Sequence, residues 1–532
     1  MMVSFKKILN HKSETIFGAA MLTSSLAIFG GFLGILRNAL LASSFGASGN
    51  LDIYYASFRL PDLIYNIFIM GAISAAFIPI FSQYWAKDKK EAWQFSNAII
   101  LIIGSFVGSL ALLVAIFTEP LLSRLLVGFS PEQLEIAVIL TRIMMIQPIL
   151  MGISSVVASV LKIFKLFLVS ALAPLFYNLG IIIGILFFVP SMGLKGLAWG
   201  VVLGAVLHIL VQIPALIGTG YKFAFKLSMF TELKEGLKKG ILMMVPRSLG
   251  IIVYQVFLLG ITAIASTLKE GSIAVFNLAN EIQNFPQTVF ALSFAIAAFP
   301  SLSKLNAEKK HEDFVKTSIS TLLQIFFFLI PIAIWFFVFR EPIIRFLLGY
   351  GKFNWTSTVN TIQVFSILSF GMIFQGVNAF LLRVFFAKGD AMRPFIASVI
   401  SYSTGFFLCY KLGLSFGVIG SAVAVAFTYL FYFLILFFLL KKDVPISLLK
   451  KFYHSLWKIT VASLLSGSVA YLSLILLKGV FPIDKVINLA LCAFIAFIIS
   501  FVVFVILCNW FKIKEIDELK GIIVQKIYGR KK

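Results

Sequence analysis

The chain has 532 residues, of which 60% are hydrophobic and only 13% are charged, and its mean hydropathy is +1.01. Soluble domains carry about 25% charged residues, so this composition cannot cover a water-facing surface. It therefore excludes a soluble enzyme, a nucleic-acid-binding domain and a secreted disulfide scaffold, and it leaves a net charge of +23 to be explained.

Fourteen apolar segments follow one another along the chain, each long enough to cross ~30 Å of hydrocarbon. They cover residues 15–42, 53–84, 94–117, 134–161, 167–189, 193–217, 240–266, 273–300, 314–339, 358–387, 394–413, 416–440, 453–477 and 486–510. The first segment is too long for a signal-peptide core and lacks a small-residue cleavage site, so it counts as a membrane helix. The segments predict an all-α polytopic membrane protein with about fourteen transmembrane helices.

Lysine and arginine are distributed unevenly among the connections between these segments. Counted from the N-terminus, alternate connections hold 30 of these residues, the intervening connections hold 9, and six lie inside segments. Because cytoplasmic loops carry the excess of positive charge, both termini are predicted to be cytoplasmic. The net charge is thus a topology signal, and the basic loops are expected to attract anionic membrane lipids and not nucleic acid.

Residues suited to catalysis or metal binding are few. Cys409, Cys492 and Cys508 lie in apolar segments and show no ligand spacing, so neither a disulfide framework nor a metal site is expected. His208 is interpreted as a packed, hydrogen-bonded residue and not as a proton carrier. Nucleotide-binding glycine loops and nucleophile motifs are absent from the sequence, so we expect a transporter without a cofactor, driven by the membrane potential or a coupled cation.

An internal repeat divides the chain. Glu119-Pro120 and Glu341-Pro342 begin similar stretches that lie 222 residues apart. Ala76-Phe77 and Ala298-Phe299 share this offset, and Gly193 and Gly417 lie 224 residues apart. The offset spans six segments, an even number, which predicts parallel repeats. We therefore predict two pseudo-symmetric six-helix lobes, residues 1–217 and 218–445, followed by residues 446–532 with two extra helices and a basic cytoplasmic tail.

Two segments carry polar stripes. The second has Asp52, Arg59, Asp62 and Asn66, and the eighth has Asn277, Asn280, Glu281, Asn284 and Gln287. Ionisable side chains cost at least ~2.5–3.5 kcal/mol near the membrane centre, so they normally face a bundle interior or a water-filled cavity. The alternative is that these helix ends reach the headgroup layer, which suits Asp52.

The repeat offset makes Arg59 and Glu281 equivalent positions, since 59 + 222 = 281, and we hypothesise that they pair in one conformational state. Arg37 is expected to line the same cavity. Arg142, Arg247 and Arg383 are weaker candidates, because each could extend to a membrane interface.

Several motifs together resemble the MurJ/MviN family. They are Phe45-Gly46-Ala47, Arg59-Leu60-Pro61-Asp62, Gly71-Ala72-x-x-Ala75-Ala76-Phe77-x-Pro79, Gly196-Leu197-Ala198-x-Gly200, Pro300-Ser301-Leu302-Ser303-Lys304, Tyr350-Gly351-Lys352-Phe353 and Phe385-x-Ala387-x-Gly389-Asp390. Their order is kept over about residues 20–400. The resemblance implies a fold of the MOP superfamily, in the bacterial plasma membrane, that flips lipid II. It also implies that segments 13 and 14 form a lipid-side groove.

The chain departs from this family at the positions that form its cationic cavity. Aligned with the family, it has Gly31 for one of two arginines, Asn38 for an acid, Tyr65-Asn66 for an arginine pair, Met70 for a glutamate and Glu281 for an arginine. The expected cavity residues are Arg37, Asn38, Asp52, Arg59, Asp62, Tyr65, Asn66, Asn277, Glu281 and Asn284. Arg142 and Arg247 are expected as additional cationic contacts.

The leading functional interpretation is a monomeric flippase for a polyprenyl-diphosphate-linked glycan that works by alternating access. One alternative is a cation- or proton-coupled exporter of amphiphilic compounds, as in the related MATE transporters, with Glu281 or Asp62 carrying the coupling. Another is a membrane scaffold that transports nothing.

Overall fold

The structure is a computed structural model that describes residues 16–67, 73–224, 233–481 and 485–517. All regular elements within these ranges are helical, as predicted for an all-α membrane protein. Eleven of the described helices are long and apolar enough to cross a membrane, and Gly250–Ser266 is a shorter apolar helix. The count of fourteen crossings stays a prediction. Met70 lies outside the described residues.

The contacts divide the chain into two units, Met1–Ala274 and Val275–Lys532. Helices of the first unit are α1 (Ile16–Phe45), α2 (Gly49–Ser57), α3 (Arg59–Tyr65), α4 (Ile73–Lys87), α5 (Lys89–Ile116), α6 (Thr118–Leu125), α7 (Pro131–Met144), α8 (Ile146–Ile163), α9 (Phe167–Ile183), α10 (Val189–Met192), α11 (Leu194–Leu210), α12 (Ile213–Gly218) and α13 (Lys234–Ser266). A π-helical turn, Gly184–Phe188, joins α9 to α10.

The second unit begins within α14 (Ser272–Pro286). It continues with a π-helical turn at Gln287–Leu292, then α15 (Ser293–Ala307), α16 (His311–Val338), α17 (Arg340–Leu348), α18 (Trp355–Ala387), α19 (Met392–Lys441), α20 (Ile446–Val480) and α21 (Val486–Trp510). Gly417 interrupts α19 with a φ of 63°, so the two segments predicted there are two helices joined at this residue.

The division at Ala274 does not coincide with the predicted lobe boundary at residue 217. It falls later because α13 packs against α3, α4 and α6 of the first unit. The predicted lobes describe the duplication, and their boundaries stay a prediction.

Within the second unit, small and aromatic residues connect the last two helices, α20 and α21, to α16. Trp335 of α16 donates its indole N–H to Ser466 Oγ at 3.1 Å, and the Ser466 hydroxyl donates to the Ser500 carbonyl of α21 at 3.0 Å. A Cβ at Gly467 would lie 2.3 Å from Ile334 Cγ2, so α20 and α16 approach each other closely at this point. Small residues commonly permit such contacts between membrane helices.

Candidate functional site

Arg37 is held by two amide side chains in the first unit. Its Nε and Nη2 donate to Asn38 Oδ1 at 3.1 and 3.0 Å, and its Nη1 donates to Asn178 Oδ1 of α9 at 3.1 Å. Asn38 is buried, whereas Arg37 is half-buried. The amides thus fix the plane of a guanidinium inside a spanning helix, and Asn178 was not predicted to take part.

Arg59 lies at the start of α3, where it meets α13. Its Nε donates to Thr262 Oγ1 at 2.7 Å. About two turns later, Asn66 donates to the Asp62 carbonyl at 2.9 Å, and Asp62, Tyr65 and Asn66 are all half-buried. Thr262 thus contacts the segment that carries the predicted polar stripe, and the assignment of these residues to a cavity stays a prediction.

Asp52 binds the backbone at the start of α14. Its Oδ2 accepts the Gly271 N–H at 2.6 Å, and its Oδ1 accepts the Ala274 N–H at 2.7 Å. Such a carboxylate satisfies donors that a helix N-terminus leaves unpaired, and it interacts favourably with the helix dipole. Gly271 has a φ of 88°, and a Cβ there would lie 2.3 Å from the Ala47 carbonyl oxygen. We interpret Asp52 as a positioning residue.

The second unit contains a cluster of amide side chains on α14 and α18. Gln283 is fully buried, and its Nε2 lies 2.9 Å from Asn280 Oδ1, 3.0 Å from Asn284 Oδ1 and 3.3 Å from Gln375 Oε1. Three acceptors thus compete for two N–H groups, while Gln283 Oε1 has no hydrogen-bond partner in the part of the chain that the structure describes. The polar stripe of the eighth segment is therefore neutral and rich in oxygen at this point.

The remaining predicted residues have different environments. Glu281 is exposed and Asn277 is half-buried. Arg142 is also exposed, and its Nε donates to the Ala115 carbonyl at 3.0 Å. Arg247 belongs to α13, and its side chain lies outside the described residues. The pairing of Arg59 with Glu281 stays a prediction.

Sequence reasoning also missed Asn178, Thr262, Gln283 and Gln375. Each of these residues could have been noticed as a polar side chain in an apolar segment, but that signal does not identify its hydrogen-bond partner. His208 is hydrogen-bonded, as expected, with its Nδ1 2.7 Å from Ser154 Oγ, and its exclusion as a proton carrier stays a prediction.

An aromatic cavity of about 530 Å³ lies in the second unit. Residues of α16, α17 and α21 and of the turn after α14 line it, including Phe290, Phe328, Trp335, Phe497 and Phe501. The cavity borders α21, and the groove expected beside segments 13 and 14 stays a prediction.

Glu341 of α17 lies outside the spanning segments and forms ion pairs with two basic side chains. Lys478 Nζ lies 2.7 Å from Glu341 Oε2, and Arg345 Nη1 lies 3.3 Å from Oε1. Burial alone would raise the pKa of Glu341, but the hydrogen bonds and charges of Lys478 and Arg345 outweigh it and lower the pKa. The pairs connect α17 to the end of α20.

The described residues contain no group of three or more His, Cys, Asp or Glu side chains that could hold a metal ion. Cys409, Cys492 and Cys508 are buried free thiols.

Comparison with known proteins identifies the family. The family model described as lipid II flippase MurJ matches residues 41–491. A probable lipid II flippase MurJ of Thermotoga maritima is 26% identical over 493 residues, covering 92% of this chain and 96% of that protein. The lipid II flippase MurJ of Burkholderia cenocepacia is 26% identical over 385 residues, covering 71% of this chain and 75% of that protein.

Solved structures agree. A lipid II flippase MurJ in an inward closed conformation superposes with a TM-score of 0.74 at 25% identity, covering 92% of this chain and 98% of that one. An inward-facing MATE multidrug transporter of the MOP superfamily has a TM-score of 0.67 at 16% identity, covering 81% and 99%, and shows the shared fold. The chain is a multi-pass membrane protein that belongs to the MurJ lipid II flippase family.

Proposed function

We propose that this protein moves a polyprenyl-diphosphate-linked cell-wall precursor of the lipid II type from the inner to the outer leaflet by alternating access. The observation that carries the proposal is the family match over residues 41–491. The protein would act as a monomer in the bacterial plasma membrane, with both termini in the cytoplasm and its basic loops on anionic lipids.

The chemistry of both units suits such a cargo. The barrier to spontaneous flipping is the desolvation of a charged, sugar-bearing head group. Arg37 and Arg59 place guanidinium groups inside the first unit, and guanidinium binds phosphate oxygens in a bidentate manner. The aromatic cavity beside α21 offers an apolar environment for part of the polyprenyl chain.

We infer that the return step draws on the membrane potential or on a coupled cation. One elementary charge crossing the membrane gains ~2.3 kcal/mol per 100 mV. Arg59 and Glu281 carry opposite charges, so the conformational state that brings them together would have the lower free energy in the empty carrier.

A second candidate is cation-coupled export of amphiphilic compounds. It is favoured by Glu281, an exposed acid at a position where the family has an arginine. An acid in a spanning helix could carry the coupled cation.

Depletion complementation tests the proposal. The protein is expressed in cells depleted of their own lipid II flippase, and lipid II in the outer leaflet is measured by an accessibility assay. Rescue with restored accessibility is expected, and Arg59→Ala should lose it. Failure to rescue together with proton-dependent drug efflux would favour the exporter, and failure of both activities would favour the scaffold.

A further inference from the structure

We propose that Arg383 of α18 binds the diphosphate of the cargo and so provides a cationic contact in the second unit. This inference rests on the proposed function. It assigns a role to a residue for which the sequence suggested only an extension to the membrane interface.

Arg383 lies inside a candidate membrane span and, within the described ranges, lacks the acidic partner that two other arginines of the second unit have. It is half-buried, four residues before the end of α18, a candidate membrane span. Its Nη1 donates to the Ala379 carbonyl of the same helix at 2.7 Å, and it has no carboxylate partner among the described residues. By contrast, Arg345 pairs with Glu341, and Arg393 pairs with Asp390.

The side chain does not extend toward the near end of the helix. The Ala379 carbonyl lies one turn N-terminal to Arg383, so the guanidinium folds back into the span. An arginine that extended to the nearer interface would point toward Lys388 instead. Burying an arginine in the membrane is unfavourable, and one intrahelical hydrogen bond offsets little of that cost.

The face of α18 that carries Arg383 is directed at the protein. Gly376 lies seven residues earlier, hence on the same face. A Cβ at Gly376 would lie 2.8 Å from Ala291 Cβ and 2.6 Å from Leu329 Cδ1, so this face packs against α16 and the turn after α14. α18 also packs against α15. Arg383 therefore lies on the face of α18 that is turned toward the protein and not toward lipid.

The donors of Arg383 fit a diphosphate. A guanidinium has five N–H groups in a planar fork, and the bond to Ala379 uses one of them. Eight residues earlier on α18, about 12 Å along the helix axis, Gln375 belongs to the amide cluster with Gln283. The same unit thus offers a cation for phosphate and, deeper in the span, neutral amides suited to sugar hydroxyls.

Isothermal titration calorimetry of the purified full-length protein in detergent tests the assignment. Farnesyl diphosphate is the probe, and farnesol is the uncharged reference. We expect Arg383→Gln to weaken farnesyl diphosphate binding at least tenfold while farnesol binding stays within twofold. Arg393→Gln is the matched control, because it removes the same charge from an arginine paired with Asp390, and it should stay within twofold.

Unchanged diphosphate binding by Arg383→Gln would overturn the assignment, and so would an equal loss of farnesol binding, which would indicate a structural role. Should Arg383→Gln fail to fold, Arg383→Lys keeps the charge without the fork. It should lower the preference for farnesyl diphosphate over farnesyl monophosphate at least threefold, and an unchanged preference would contradict the inference. If the wild-type protein binds no diphosphate at all, the proposed function falls as well.

Discussion

The two repeats have the same backbone at matching positions but different side chains. Phe117 and Phe339, 222 residues apart, both have φ −91° and ψ 15° where a long helix gives way to a short one. Gly193 and Gly417 both adopt positive φ, 58° and 63°, at the turn between two helices. The sequence repeat is thus confirmed in the local backbone geometry of each unit.

The helix crossings that follow show how the copies differ. In the first unit a Cβ at Gly180 would lie 2.3 Å from the backbone of Gly204. At the equivalent crossing of the second unit, a Cβ at Gly405 would lie 2.0 Å from Thr428 Oγ1, a side-chain atom. The backbone path has been retained while its contacts have changed, so equivalent positions need not have equal functions.

The same holds for the polar stripes. The first unit carries guanidinium groups, of which Arg59 is one, and the second carries neutral amides around Gln283. The equivalent of Arg59 is Glu281, so the charge is reversed between the copies. Substitutions that exchange or remove these side chains test what each repeat contributes to flipping and to stability.

The largest effect is expected from exchanging charges between the repeats. Arg59→Glu and Glu281→Arg should each lower flipping at least about tenfold, because each leaves two like charges in the spanning region. The double variant should recover activity to within about threefold of wild type if the two residues pair. The lipid II accessibility assay measures all three.

Glu119→Arg is the control for this exchange. Glu119 is exposed and makes no ion pair with the described residues, so its reversal should leave flipping within about twofold. No recovery in the double variant would contradict the pairing of Arg59 with Glu281.

The glycine crossings should rank next. Gly180→Ala should lower the free energy of unfolding by about 3 kcal/mol, because a backbone neighbour cannot move aside. Gly405→Ala should cost less, about 1.5 kcal/mol, since the Thr428 hydroxyl and methyl can rotate away and only a small shift from Thr428 Cβ, 2.9 Å from the added Cβ, is then needed. Thermal unfolding in detergent measures both, and Gly108→Ala is the control because nothing lies within 4 Å of its added Cβ. Equal losses at Gly180 and Gly405 would contradict the distinction.

Asp52→Asn should cost about 2 kcal/mol, less than Gly180→Ala, since the amide keeps one acceptor oxygen and turns an N–H₂ group toward a backbone donor. The loss should appear as reduced thermal stability, while each folded molecule keeps its flipping activity. Residual flipping should therefore track the folded fraction. Flipping that falls tenfold in fully folded protein would instead make Asp52 a cavity residue.

How much the sequence could predict depended on the range of the signal. Apolar runs located the eleven candidate spans among the described residues, including the break at Gly417, because membrane burial acts on each segment separately. The polar stripes were also visible as local periodicity. The partners were not: Arg59 and Thr262 are 203 residues apart, and no local pattern joins them.

Asp52 illustrates the other limit. The sequence predicted it as a cavity residue, with the headgroup layer as the alternative, and the structure places its carboxylate at the start of α14. Its function as a cap for α14 depends on Gly271, 219 residues later, whose positive φ brings the N–H into reach. Tertiary geometry alone determines that contact.

The smallest effect should separate the two short helices that follow Phe117 and Phe339. Glu341 pairs with Lys478, whereas Glu119 is exposed, so Glu341→Gln should lower stability at pH 7 by up to about 1 kcal/mol and Glu119→Gln by almost nothing. Because the folded state lowers the pKa of Glu341 from its usual 4.5, the stabilisation is fully present above pH 4.5 and is lost as the pH falls through the lowered pKa. Thermal unfolding of wild type and both variants between pH 7 and pH 3.5 measures this. The gap between wild type and Glu341→Gln should stay constant down to about pH 4.5 and then narrow. A stability gap that widened on acidification would show that α20 does not depend on this ion pair. An equal gap for Glu119→Gln would show that the two short helices are equivalent in charge as well as in backbone.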